Sequence, residues 1–380
     1  MDKVVIVMPA YNEKENIGLM IRELFDEYFP QIKGVEMHLL VVDDFSPDGT
    51  GEVVNKMMDK YKNLHLLQKN KEGLGWAYVR GFRYAMNKLS ADAVMEMDAD
   101  FQHPPRFVKP MVEAYLAGAD YCIGSRYIKG GSVPKEWAGS RKAVSFFGNL
   151  FIRLVLLNFK IHDLTTGFRL TRVKGVMDKI QLEKLMDLDR FAYKVDLLYQ
   201  SLKLSKKTVE VPLEFASRTK EKSKFNWKEM IATFEAAIVL GIKDKQRFLK
   251  FGIVGFAGFV VNYVFIRVFR MMGMNETVNW LLATEIAIIN NYIFNNIWTF
   301  SEVKIAGIRQ TVGKFVQFNA TSAGALLIQT IFGPLFERIV GIKYDFLVLA
   351  FVVICMVLPY NYIMYNLVIW KTWKLPWAKK

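Results

Sequence analysis

Between residues 251 and 370 the chain runs for long distances without a charge, and nothing else in the sequence constrains its fold as strongly. Phe251–Ile266, Phe315–Phe336 and Phe346–Trp370 contain no Asp, Glu, Lys or Arg, and such lengths are at or near what a helix needs to cross a bilayer. Thr277–Phe300 carries a single charge, Glu285, with a set of asparagines toward its end, Asn290, Asn291, Asn295 and Asn296. The pattern predicts transmembrane helices at about 248–270, 278–300, 315–336 and 346–370. Asparagines in a span fit interhelical hydrogen bonding at least as well as a ligand role. Up to about residue 245 charges mix with short apolar runs, as in soluble domains. The expected organisation is a soluble domain over 1–225, an interfacial amphipathic helix or linker over 226–246, and a membrane domain over 247–380.

Lysine and arginine flank the spans unequally. Lys243, Lys245, Arg247 and Lys250 precede the first, Lys304, Arg309 and Lys314 separate the second from the third, and Lys371, Lys374, Lys379 and Lys380 follow the fourth. The opposite side has Arg267, Arg270, Arg338 and Lys343. The bias predicts a multi-pass protein with both termini and the soluble domain in the cytoplasm. A basic surface against anionic headgroups then accounts for much of the net charge of +14, without nucleic acid as a partner. The apolar run at Val4–Met8 is too short for a signal peptide, so insertion is expected to rely on the internal helices. The two cysteines, Cys122 and Cys355, suggest neither a disulfide nor a zinc site.

In the soluble half, Val4–Met8, His38–Val42, Leu64–Gln68, Ala93–Met97 and Tyr121–Gly124 read as buried strands. Helical patterns lie between them at Glu15–Tyr28, Gly51–Tyr61, Gly75–Lys88 and Pro105–Ala117. Alternating strands and helices predict an α/β domain with a mainly parallel, Rossmann-like sheet, whose ligands bind beyond the carboxyl ends of the strands.

The loops at those ends carry the chemistry. Ala93–Met97 runs into Asp98-Ala99-Asp100-Phe101-Gln102-His103. Two carboxylates spaced i, i+2 at a strand end suit Mg²⁺ or Mn²⁺, which keeps positions for water and phosphate oxygens, although an isolated Asp-x-Asp is more often a simple capped turn. Pro9-Ala10-Tyr11-Asn12-Glu13 follows the first strand. Asp43 and Asp44 follow the second and suit ribose hydroxyls or a base amide, while Ser46-Pro47-Asp48-Gly49-Thr50 is turn and cap chemistry. Gly73 and Gly75 follow the third and could admit close backbone approach to a ligand. No Gly-x-x-x-x-Gly-Lys-Ser/Thr loop occurs.

Taken in order, Pro9–Glu13, Asp43-Asp44-x-Ser46-x-Asp48-Gly49-Thr50, Lys71-x-Gly73-Leu74-Gly75 and Asp98-Ala99-Asp100-x-Gln102-His103-Pro104-Pro105 resemble glycosyltransferase family 2, inverting enzymes with a GT-A fold. Gly124-Ser125-Arg126, Gly130–Pro134, Ser140-Arg141-Lys142 and Asp163–Arg169 resemble its branch that glycosylates polyprenyl phosphates. Arg247–Gly252, Asn290–Phe300 and Lys314–Asn319 resemble the GtrA-type four-helix module.

The resemblance implies mannose transfer from GDP-mannose to dolichyl or another polyprenyl phosphate. It implies Asp98, Asp100 and Gln102 as holders of the divalent ion, and Pro9, Tyr11, Glu13, Asp43, Asp44, Asp98 and Ala99 as contacts to the donor. Arg126 and Arg141, helped by Ser145, would bind the acceptor phosphate, and Arg218 and Lys224 would close over the donor diphosphate. Glu221 stands where the family usually has glycine, which leaves the shape of that lid open. A phosphomonoester with a second pKa of about 6 is already largely dianionic near neutral pH, so the reaction needs cations more than a general base. Ser145–Phe159, rich in Phe and Leu, reads as an amphipathic interfacial helix, with Trp227–Ile242 a second candidate. The rival readings are a polyprenyl-phosphate glucosyl- or aminosugar transferase using a UDP-sugar, and a non-catalytic lipid-sugar flippase or scaffold. A processive synthase is disfavoured because no Gln-x-x-Arg-Trp follows Asp163.

Overall fold

The computed structural model of the chain describes residues 1–217, 227–303, 307–341 and 345–373. The chain divides into two compact units, Met1–Gly241 and Ile242–Lys380.

The first unit is built on strands β1 (Asp2–Ala10), β2 (Val35–Asp43), β3 (Leu64–Gln68), β4 (Ala93–Glu96), β5 (Tyr121–Ser125), β6 (Arg169–Arg172) and β7 (Thr208–Pro212). They form one sheet in the order β3-β2-β1-β4-β6-β5-β7. Pairing is parallel except at β6, which runs antiparallel to both β4 and β5. Because strand side chains alternate, β1 feeds two cores. Val4, Ile6 and Met8 pack with Ile17, Met20 and Val112, whereas Val5 and Val7 pack with Tyr78 and Phe82.

Helices α1 (Lys14–Arg22), α2 (Thr50–Met58), α3 (Leu74–Asn87), α4 (Val108–Leu116), α5 (Gly139–Leu156) and α6 (Tyr193–Leu204) cover the sheet. The first five expected strands lie where the apolar runs place them, and the sheet is GT-A-like. The structure adds two strands and moves three helix boundaries. Strands β6 and β7 have no apolar run: Arg-Leu-Thr-Arg and Thr-Val-Glu-Val-Pro alternate polar and apolar residues. The first helix gives way to a wider π-type turn at Glu23–Tyr28. The Ser145–Phe159 helix starts earlier, at Gly139, and stops at Leu156, where Leu157 turns left-handed at φ 51°. Trp227–Ile242 is no separate helix but the start of α7, Trp227–Met271.

The second unit contains the remainder of α7, then α8 (Glu276–Phe294), α9 (Ile308–Val340), α10 (Asp345–Val352) and α11 (Leu358–Met364). Among the described residues only Lys245–Met271 is both long and apolar enough to cross a membrane by those criteria alone. A π-type turn at Val353–Val357 separates α10 from α11, next to Pro359, which cannot donate the backbone bond that a regular helix requires. Phe251, Tyr292, Phe300, Phe318, Tyr365 and Trp370 form an aromatic core, with Phe300 stacked on Trp370 at 4.2 Å.

Candidate active site

The loops after β1, β2 and β4 meet at one cleft of about 290 Å³, lined among others by Pro9, Tyr11, Glu13, Asp44, Lys71, Asp98, Ala99, Asp100 and Phe191. Hydrogen bonds tie the loop after β1 to the loop after β2. The backbone N–H groups of Asn12, Glu13 and Lys14 donate to Ser46 Oγ, Thr50 Oγ1 and Asp48 Oδ2 at 3.1, 3.0 and 3.0 Å. The Ser-Pro-Asp-Gly-Thr turn therefore caps helix α1 as well as its own helix, where Thr50 N–H donates to Asp48 Oδ1 at 2.9 Å.

The two adjacent acids part ways. Asp43 is fully buried and does not line the cleft; Oδ1 accepts from Ser46 N–H and Oγ at 3.1 and 2.5 Å, and Oδ2 from Gln68 at 2.8 Å. Asp44 does line it, gripped from behind by Arg80 Nη2 at 2.6 Å, while the same guanidinium also binds Glu72. Burial raises the Asp44 carboxyl above its usual range, against the pull of Arg80 and Lys71. Lys71 sits over the Tyr11 ring at 3.5 Å. Gly73 and Gly75 permit close backbone approach, but the approaching chain is the protein's own. A Cβ on Gly73 would meet Asp189 Cα at 2.6 Å, and one on Gly75 would meet Leu188 O at 2.5 Å.

Strand β4 ends at Glu96, so Asp98 and Asp100 belong to the following loop rather than to one face of a strand. Both nonetheless reach the cleft. His103 explains how the loop is held: fully buried, its Nδ1 accepts the Asp98 N–H at 3.0 Å. That bond needs a neutral ring, and burial supplies one by lowering the His103 pKa to about 4. Tyr78 OH donates to Asp98 Oδ1 at 3.2 Å. The Gln102 N–H donates to Asp100 Oδ1 at 3.1 Å, and its carbonyl accepts from Ala216 at 3.1 Å. Gln102 itself is not part of the cleft wall. Two hard carboxylate donors on one wall fit Mg²⁺ or Mn²⁺. Among the described residues no group of three or more His, Cys, Asp or Glu joins them, so an ion there would draw its other ligands from water and substrate.

A second groove, also about 290 Å³, gathers Arg126, Arg141 and Ser145 with Trp137, Val144, Ile152, Met230 and Phe234. Arg126 follows β5, Arg141 and Ser145 belong to α5, and Met230 and Phe234 to α7. The guanidinium of Arg126 is buried: Nε and Nη2 bind the fully buried Asp163 at 2.7 and 2.8 Å, and Nη2 also donates to Thr165 at 2.6 Å. Burial would raise the Asp163 carboxyl, but Arg126 and backbone donors hold it below the usual range. The Arg141 guanidinium lies 3.9 Å over the Trp137 ring, and Ser145 Oγ pairs with Tyr127 OH at 2.6 Å. Beside the groove α5 exposes Phe146, Phe147 and Leu154, and α7 exposes Ile231 and Ile238. Arg218 and Lys224 lie outside the described residues.

Sequence reasoning missed Lys71 and Phe191 in the first cleft and Trp137 in the second. Lys71 stood within a quoted motif, but nothing local marked Trp137 or Phe191.

A GT-A-like sheet with an acidic cleft at its strand ends, joined to an apolar helical unit, defines a glycosyltransferase carried on a membrane domain. Comparison with known proteins agrees. The sequence matches Glycosyl transferase family 2 over residues 5–178 and the GtrA/DPMS transmembrane domain over residues 250–370. It is 34% identical over 316 residues to the dolichol-phosphate mannosyltransferase of Pyrococcus furiosus, spanning 82% of this chain and 85% of that one. It is 35% identical over 218 residues to the polyprenol monophosphomannose synthase of Mycolicibacterium smegmatis, spanning 57% and 78%. Among solved structures, glucosyl-3-phosphoglycerate synthase of Mycobacterium tuberculosis aligns with a TM-score of 0.43 at 18% identity, covering 64% and 79% of the two chains. The chain belongs to glycosyl transferase family 2 and is a membrane-bound enzyme.

Proposed function

We propose that the protein transfers mannose from GDP-mannose, with inversion, to the phosphate of dolichol or a related polyprenol. The observation that carries this reading is the second groove, where two arginines and a serine share a wall with Ile152, Met230 and Phe234. A cationic end beside an apolar flank suits a lipid phosphate. The relatives named for mannose transfer to dolichol and polyprenol phosphates support the same choice.

In this reading the acidic cleft takes the donor. Tyr11, Glu13 and Asp44 contact the nucleoside, with Pro9 and Ala99 shaping the walls. Asp98 and Asp100 would hold Mg²⁺ or Mn²⁺, which, when bound, offsets charge building on the departing nucleoside diphosphate. Arg126, locked by Asp163, and Arg141, held over Trp137, orient the acceptor phosphate, and Ser145 adds a hydroxyl. Arg218 and Lys224 serve as the basic lid. No general base is required, since the acceptor arrives already anionic. The exposed apolar residues of α5 and of the first turns of α7 rest in the membrane interface. The membrane domain makes four passes with the catalytic domain cytoplasmic.

The test is sugar transfer by purified protein to dolichyl phosphate with Mg²⁺ or Mn²⁺, comparing GDP-mannose, UDP-glucose and UDP-N-acetylglucosamine, with Asp100→Ala as control. Transfer from GDP-mannose that the variant loses is the expected result; selective use of a UDP-sugar overturns the donor assignment, and no transfer from any donor overturns the reading.

A further inference from the structure

The segment Asp163–Arg169 was singled out by sequence, and the two sites use only its first part. Its far end leads to Lys194. Gly167 is the opening: a Cβ there would come within 2.5 Å of Lys194 Nζ. Arg169 Nη1 donates to the Lys194 carbonyl at 2.7 Å, fixing the start of α6. Arg169 stands opposite Glu96 in the β4–β6 ladder and is the stronger of the two cations acting on that buried acid, ahead of Lys194. Lys194 also faces a second acid. Its Nζ, on a side chain 11% exposed, lies 3.9 Å from Asp98 Oδ1, the oxygen that Tyr78 OH also approaches at 3.2 Å. The Tyr78 and Phe191 rings flank it at 5.6 and 5.4 Å.

We propose that Lys194 is a positioning residue that sets the order of filling in the donor cleft, by opposing a divalent ion on Asp98 while the nucleotide is absent. The proposal rests on the reading of Asp98 and Asp100 as metal ligands. A fixed ammonium beside a carboxylate holds that carboxylate in place, yet its charge repels a dication sharing the same group. In a largely buried setting that repulsion is only weakly screened. The same charge attracts an anionic diphosphate. Lys194 therefore lowers affinity for the bare ion and raises affinity for the bare nucleotide, so the empty cleft admits the donor first or the ion together with it.

The experiment is Mn²⁺ binding to the full-length protein in detergent, followed by loss of the free-ion electron paramagnetic resonance signal, with GDP binding followed by calorimetry in chelator. Wild type, Lys194→Met, Lys194→Gln and Lys194→Arg are compared, with thermal unfolding to confirm that each is folded. Loss of the charge is expected to tighten Mn²⁺ binding without nucleotide about tenfold and to weaken metal-free GDP binding several-fold, while Lys194→Arg stays near wild type. A purely structural role would weaken both. Mn²⁺ affinity that is unchanged or lower in folded Lys194→Met and Lys194→Gln overturns the proposal. If wild type binds no Mn²⁺ even with GDP present, the metal-ligand reading itself fails, and this one with it.

Discussion

The catalytic domain holds two clefts of similar size that are made in different ways. The proposed donor cleft is assembled from loops at the carboxyl ends of parallel strands, and its acids are held by partners in those loops or directly behind them: Arg80 for Asp44, His103 for Asp98. The proposed acceptor groove is assembled from one strand end and two helices, and its arginines lean on Asp163 and Trp137. One site is set mainly by chain direction, the other by long-range packing. Damage should therefore stay local in the first and spread into stability in the second.

The largest effect tests whether the clefts are separable. Asp100→Ala should lower the turnover number by about a thousandfold or more, because in the proposed reading it removes a ligand of the ion whose charge stabilises the leaving diphosphate. Binding of dolichyl phosphate, read by tryptophan quenching, should not change. Joint loss of acceptor binding would mean that the two clefts are one site.

Asp163→Asn makes the complementary cut. Arg126 is 9% exposed and its partner wholly buried, so removing the negative charge strands a buried guanidinium and should cost about 3–5 kcal/mol of stability. Thermal unfolding should drop markedly while GDP affinity in the folded protein persists. An unchanged melting temperature would show that Arg126 does not depend on Asp163.

His103 gives the donor side its own, smaller stability signature. Its folded pKa of about 4 lies below the ordinary value of 6.5, so the unfolded chain takes up the proton first as pH falls. Stability through this residue is thus full above about pH 6.5 and declines toward pH 4, by about 2 kcal/mol between pH 7 and pH 5. Melting temperatures measured at those two pH values should differ less in His103→Asn than in wild type.

The same contrast governs what could be read from the sequence. Asp44, Asp98, Asp100 and Tyr11 were legible because each follows an apolar run within a few residues, and a parallel sheet delivers all such loops to one edge. Arg126, Arg141 and Ser145 came from motif resemblance, and the structure brings all three to one groove. What escaped was burial. Asp43 looks the same as Asp44 in sequence, yet it turns inward to bind Ser46 and Gln68. Strand β6 escaped because its Arg169 is fully buried, standing in the ladder opposite a glutamate 73 positions earlier in the chain, Glu96.

Trp137 offers the finest probe of the acceptor side. The Arg141 guanidinium lies over its ring at 3.9 Å and the ring meets Phe215 edge-on at 5.8 Å, so in the proposed reading it holds an arginine whose work is on a ligand. A cation over an indole contributes about 1 kcal/mol at a partly exposed site, equivalent to about fivefold in affinity. Trp137→Ala should therefore raise the KM for polyprenyl phosphate about fivefold and leave the turnover number and GDP affinity near wild type. Trp137→Phe keeps an aromatic face with a weaker field and should fall between. If Trp137→Ala instead lowers turnover at saturating acceptor, Arg141 acts in the transition state and not in acceptor capture alone, and the division of labour between the two arginines must be redrawn.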